Sequence, residues 1–225
     1  MRNANFSKIY IAFSLLYLII LLLGYENFDL FLKPALIPIL GFEVYLNRKF
    51  PTKNALLLAL LFSWIGDIIL LFADIAEIYF ILGLISFLAA HVIYCVLFNN
   101  QIKAKAQKNS IVFGIGSVII ALYLIGMLSV LLPSLGDLKI PVTVYASVIS
   151  IMVLFAFNGF FVWKNPGNKY VISGAIVFVI SDSILAINKF YTSIERSSFF
   201  IMLTYLVAQY LIVVGILKLN PEKAE

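Results

Sequence analysis

Charge is what this sequence lacks. Only 12% of its 225 residues are Asp, Glu, Lys or Arg, 63% are hydrophobic, and the mean hydropathy is +1.07. A soluble domain of this size needs far more charge to cover its surface. A single cysteine, Cys95, excludes an intrachain disulfide and a thiolate metal cage. A single histidine, His91, excludes a multi-histidine metal centre, so neither a metal nor a cofactor is expected. The formal net charge of +5 comes from basic residues spread between apolar runs, which gives no reason to expect nucleic-acid binding.

Long apolar runs are what the sequence has instead. Eight can be marked, at roughly 8–25, 30–46, 54–73, 77–98, 109–131, 141–162, 170–189 and 197–217, each too long for a core strand. A backbone that spans a bilayer must satisfy its own hydrogen bonds, so the runs read as helices. The expectation is an all-α polytopic membrane protein, with residues 1–225 forming one integral membrane domain of eight transmembrane helices. The second run begins with Lys33-Pro34, which places a proline near a first turn, where a missing amide costs little. The first run follows Arg2 and Lys8 and resembles a signal peptide, but Tyr25-Glu26-Asn27 offers no small-x-small cleavage site. It reads as a retained helix.

The basic residues orient the runs. Arg2, Lys8, Arg48, Lys49, Lys53, Lys103, Lys105, Lys108, Lys164, Lys169, Lys218 and Lys223 fall in the termini and alternate loops on one side. Lys139, Lys189 and Arg196 fall on the other, with Lys33 at the start of the second run. The bias predicts that both termini are cytoplasmic.

Two aspartates interrupt this apolar pattern, in Trp64-Ile65-Gly66-Asp67-Ile68-Ile69-Leu70 and Val179-Ile180-Ser181-Asp182-Ser183-Ile184-Leu185. A carboxylate at membrane depth is costly and marks chemistry or transport. Residue counting puts both at roughly 20 Å from the cytoplasmic ends of helices that run in the same direction. Ser63, Gly66, Asp67 and Asp74 share one face of the third helix, while Gly174, Ser181 and Asn188 recur every seven residues beside Asp182. Small residues in such stripes also permit close helix packing. His91 and Tyr94 share a face of the fourth helix, with His91 about 10 Å deeper than the aspartates. Tyr205 and Gln209 form a polar stripe on the eighth. Lys33 either snorkels to the interface or pairs with an anionic group. Glu43 is expected to reach the interface, and Asp74, Glu77, Asp137 and Glu195 read as loop charges. The aspartate contexts, Ala90-His91 against Ala208-Gln209, and Leu32-Lys33-Pro34 against Leu138-Lys139-Ile140-Pro141 suggest a weak four-plus-four tandem repeat with drifting offsets.

Five motifs in order carry a family resemblance. They are Lys33-Pro34, Ser63-x-x-Gly66-Asp67-x-x-Leu70, Ala90-His91-x-x-Tyr94-x-x-x-Phe98, Gly174-Ala175-x-x-Phe178-x-x-Ser181-Asp182-x-x-Leu185-Ala186-x-Asn188-x-Phe190 and Tyr205-x-x-Ala208-Gln209. Together they resemble the YhhN family of multi-pass proteins, which contains animal and bacterial lysoplasmalogenases. The resemblance implies an ether hydrolase that cleaves the vinyl-ether bond of a lysoplasmalogen to a fatty aldehyde and glycerophosphoethanolamine or glycerophosphocholine. Its implied partners are a lysophospholipid substrate and membrane lipids. In that chemistry Asp67 and Asp182 become the acid and the water-orienting carboxylate, with Lys33, Ser63, His91, Tyr94, Ser181, Asn188, Tyr205 and Gln209 binding or supporting. The head group, the chain length, which aspartate is the acid and the oligomeric state are left open. A bacterial cytoplasmic membrane is the expected location.

Rival readings meet specific obstacles. An intramembrane aspartyl protease would share Gly66-Asp67, but Ser181 stands where its second aspartate needs a tyrosine. A zinc-dependent lipid amidase needs more histidines. A proton-coupled transporter or lipid flippase, with Asp67 and Asp182 as proton carriers, is the main alternative.

Overall fold

The computed structural model describes residues 4–102 and 110–221. Their regular elements are eight α-helices: α1 (Ala4–Leu22), α2 (Asp29–Leu46), α3 (Lys53–Leu70), α4 (Glu77–Gln101), α5 (Ser110–Leu131), α6 (Lys139–Val162), α7 (Gly167–Phe190) and α8 (Ser197–Leu219). Single 3-10 turns cover Glu26–Phe28, Leu132–Ser134 and Gly136–Leu138. Among the described residues six helical spans, corresponding to α3 through α8, are long and apolar enough to cross a membrane. The apolar stretch Phe6–Leu22 within α1 is shorter than these spans, and α2 carries Asp29, Lys33 and Glu43 on its eighteen residues. The protein is therefore an all-helical membrane protein. Of the basic residues used for orientation, Arg2, Lys103, Lys105, Lys108 and Lys223 lie outside the described residues.

Helix ends depart from the sequence expectation where local hydrogen bonding changes. α3 stops at Leu70, because Leu71, Phe72 and Ala73 donate to carbonyls three residues back and tighten the chain into turns. Between α2 and α3, Lys53 Nζ donates to Tyr45 O and Asn47 O at 2.8 and 2.5 Å. A cation there satisfies carbonyls that the end of a helix leaves open.

The chain divides into two compact units at Leu97/Phe98. The first holds α1 to α3 and most of α4. Its second helix differs from the reading of Pro34 as a first-turn residue: α2 begins at Asp29, and both Pro34 and Pro38 lie inside it. Pro38 has no N–H, so it cannot bond the Pro34 carbonyl one turn back. Trp64 of α3 supplies the missing donor, its indole Nε1 lying 2.7 Å from Pro34 O. Similarly, Ser86 Oγ of α4 donates to Phe62 O of α3 at 2.6 Å. Gly66 and Gly83 let α3 and α4 close together, since a Cβ at Gly66 would meet the Phe87 ring at 2.7 Å and one at Gly83 would meet Leu70 at 2.6 Å. Glu43 does not reach the interface as expected. It is buried, and Ser7 Oγ of α1 lies 2.7 and 2.8 Å from its two carboxylate oxygens.

The second unit is built on α7 and α8. A Cβ at Gly174 would lie 2.9 Å from Ile212 N and 3.0 Å from Ala208 O, and one at Gly215 would lie 2.9 Å from Val171 N. Backbone thus faces backbone across this pair, the small-residue packing that membrane helices use. Ser181 Oγ of α7 adds a bond of 2.9 Å to Ile201 O of α8. α6 packs on α7, and α5 on α6.

Two stability measurements follow from these contacts. Trp64→Phe leaves the Pro34 carbonyl without its donor and should lower stability by about 1–3 kcal/mol in thermal unfolding in detergent. Adding Pro38→Ala restores a backbone N–H to that carbonyl and should recover most of the loss. Equal losses with and without Pro38→Ala would remove this account of α2. Gly174→Ala must push α7 from the α8 backbone and should cost about 1–3 kcal/mol, whereas Gly114→Ala, in open space, should cost nothing measurable.

Candidate active site

Asp67 lies fourteen residues into α3, about 21 Å along the helix, and is only 3% exposed. One turn earlier Ser63 is fully buried on the same face. Between them in sequence Gly66 admits the Phe87 ring of α4 close against the helix. Three buried tyrosines belong to the same unit: Tyr10 and Tyr17 on α1 and Tyr94 on α4. The Tyr10 hydroxyl is within electrostatic reach of both Asp67 and Tyr94, and Tyr17 within reach of Asp67 and Asp29. His91, one turn before Tyr94, is fully buried. The first unit therefore brings two buried tyrosine hydroxyls, those of Tyr10 and Tyr17, within electrostatic reach of Asp67.

Asp182 lies fifteen residues into α7, about 22 Å along it, and is half-buried. Tyr145 of α6 donates to its Oδ2 at 2.5 Å, which fixes the orientation of the carboxyl group. Next to it, Ser183 Oγ pairs with the Tyr123 hydroxyl of α5 and donates to Val179 O at 2.5 Å. Tyr123 is itself within electrostatic reach of Asp182. Three helices of the second unit thus converge on this carboxylate.

The remaining candidate residues divide by what they touch. Ser181 joins α7 to α8, as described above. Asn188 Oδ1 accepts from Ile194 N at 2.9 Å and so holds the turn between the same helices. Tyr205 and Gln209 are buried on α8, with a long contact of 3.5 Å from Gln209 Nε2 to the Tyr205 hydroxyl, and Tyr205 packs edge-on to Phe178 of α7. Lys33 is half-buried one turn after Asp29, whose carboxyl group feels its charge.

Four tyrosines escaped the sequence reading. Tyr10 and Tyr17 did leave a signal, because Tyr10, Ser14 and Tyr17 form an i, i+4, i+7 stripe on an apolar helix, and all three are buried. Tyr123 and Tyr145 left none. Each stands without a periodic polar neighbour that points to α7, and only the packing of α5 and α6 against it brings them to Ser183 and Asp182.

Known proteins supply a context for these features. The chain is 31% identical over 168 residues to the lysoplasmalogenase TMEM86A of Homo sapiens, a stretch that is 72% of this chain and 65% of that protein. It is 27% identical over 176 residues to the lysoplasmalogenase TMEM86A of Bos taurus, with the same two shares. The match thus spans about 65% of the length of these relatives. No solved structure matches. The sequence profile of the YhhN family matches residues 28–216, a stretch that takes in Lys33-Pro34, both aspartate motifs, the His91 motif and the Tyr205 motif. The chain belongs to the YhhN family.

Proposed function

We propose that this protein is a membrane-embedded hydrolase that cleaves the vinyl-ether bond of lysoplasmalogens, with Asp67 and Asp182 as its two working carboxyls. The observation that carries this reading is the 31% identity to a lysoplasmalogenase, and both aspartates fall within the stretch that the family profile matches. The chemistry suits carboxyls. A carboxylic acid gives its proton to the alkenyl carbon distal to the ether oxygen, and the π pair forms the new C–H bond. The oxocarbenium ion left behind takes water at the carbon attached to oxygen, and the second carboxylate accepts the water's proton. The hemiacetal then collapses: the first carboxylate takes its hydroxyl proton, the C–O bond to the glycerol breaks, and the second carboxyl returns its proton to the departing oxygen, giving a fatty aldehyde and the glycerophospho-alcohol. Two-carboxylate glycosidases divide acid and base roles in the same way, although they protonate oxygen.

The surroundings of each aspartate support these roles. Two buried tyrosines, Tyr10 and Tyr17, lie within electrostatic reach of Asp67, and Asp182 is held by Tyr145 beside the Tyr123–Ser183 pair. Lys33, Ser63, His91, Tyr94, Tyr205 and Gln209 stand as supporting groups in this proposal, while Ser181 and Asn188 act through the packing of α7 against α8. The substrate is a lysophospholipid drawn from the surrounding lipid. The proposal further takes the chain as one integral membrane domain of eight spans, in a weak four-plus-four repeat, with both termini in the cytoplasm and the protein in a bacterial inner membrane.

The experiment is product analysis by mass spectrometry after purified protein meets lysoplasmenylethanolamine in detergent. Wild type should release fatty aldehyde and glycerophosphoethanolamine. Asp67→Asn and Asp182→Asn should each lower turnover by about 100-fold or more, the scale of a lost acid or base, with unchanged insertion. Tyr145→Phe keeps the carboxylate and loses its positioning bond, so it should reduce kcat by about tenfold with little change in KM. Wild-type turnover by either properly folded aspartate variant ends the dyad assignment.

A further inference from the structure

The second unit contains a feature that the aspartate chemistry does not use. An apolar crevice of about 560 Å³ runs between α5, α6 and α7. Along α5 it extends from Val112 to Tyr123, about 16 Å at the helical rise. Its rim residues Ile119 and Ile176 are exposed on the apolar perimeter, so it opens sideways.

The two hydroxyls that border the crevice are both engaged. Ser150 Oγ donates to Ala146 O at 2.8 Å, and the Tyr123 hydroxyl pairs with Ser183 Oγ. The walls therefore present hydrocarbon alone. In a bilayer an apolar hollow that stays empty loses its dispersion contacts, so a hydrocarbon chain fills it. About 16 Å accommodates roughly thirteen carbon–carbon bonds at the advance per bond of an extended chain. Among the described residues it is the Tyr123 end that meets polar groups: Tyr123 there reaches Ser183, beside Asp182 and the Tyr145 hydroxyl. An occupant in register with these walls has one long apolar chain that ends in one polar linkage. Phe157 lines the crevice against Gly116, where any Cβ would collide with the ring, so the depth at that level depends on the glycine.

We propose that this crevice binds the single hydrocarbon chain of the lysolipid substrate and presents its ether linkage to Asp182. The proposal rests on the hydrolase reading for the identity of the lipid, and on the crevice alone for where the chain lies.

The test reads binding without turnover. A non-hydrolysable alkyl-ether lysophosphoethanolamine with a diazirine at its chain terminus is photolysed with the full-length protein in nanodiscs, and labelled peptides are mapped by mass spectrometry. Label should concentrate near Val112, Phe157 and Ile172, about tenfold above the lipid-facing Leu122 and Ile125. Unlabelled lysolipid should displace it, and diacyl phospholipid should not. Ile176→Trp, which fills the crevice from its rim, should reduce the label by about tenfold, and Ile119→Phe serves if that variant fails to fold. Even labelling around the perimeter, equal displacement by diacyl lipid, or a label indifferent to a folded crevice variant would overturn the proposal. Aldehyde release with dispersed label removes the crevice and leaves the hydrolase, whereas concentrated label without aldehyde does the reverse.

Discussion

Polar groups inside this chain have no water to fall back on, and that constraint organises both of its units. Each donor or acceptor placed among apolar helices needs a partner from the protein itself. Pro38 removes the amide that the Pro34 carbonyl would use, and Trp64 reaches across from α3 to replace it. Ser86 and Ser181 each give a hydroxyl to a carbonyl of the neighbouring helix. Ser7 holds both oxygens of Glu43. These bonds set which helix faces meet, because a rotated helix would leave its polar groups in hydrocarbon.

The same constraint gives the aspartates their surroundings. Neither carboxyl stands in bare hydrocarbon, since tyrosines from other helices approach both. Tyrosine is suited to this place: its ring packs as a large apolar body while its hydroxyl offers one directed hydrogen bond. The glycines act in concert with them. Gly66, next to Asp67 in sequence, admits Phe87, and Gly174 brings the backbones of α7 and α8 together below Asp182. Close packing thus holds the acidic helices, and hydroxyls orient what they carry.

Much of the architecture was legible in the residues. Runs of apolar sequence longer than a core strand permit little except helices, and among the described residues six of the helices are long and apolar enough to cross a membrane. The two aspartates could be singled out because a charge in such a run is rare enough to need a reason. Glu43 was misjudged because its partner, Ser7, lies on another helix and 36 residues away. Pro34 was misjudged as a first-turn residue although α2 begins at Asp29, which puts it in the second turn.

The sequence by itself determined that this is a helical membrane protein with acidic residues deep in two of its helices, and its ordered motifs carried the family. Those properties depend on local composition and on spacing along one chain, which the sequence states directly. Only the tertiary structure decided which side chains attend those acids. Tyr145 and Tyr123 come to Asp182 and Ser183 from α6 and α5, and the crevice between these helices exists only once all three are packed. Helix rotation and crossing are set by contacts between distant residues, so no pattern within one helix could announce its neighbour's contribution.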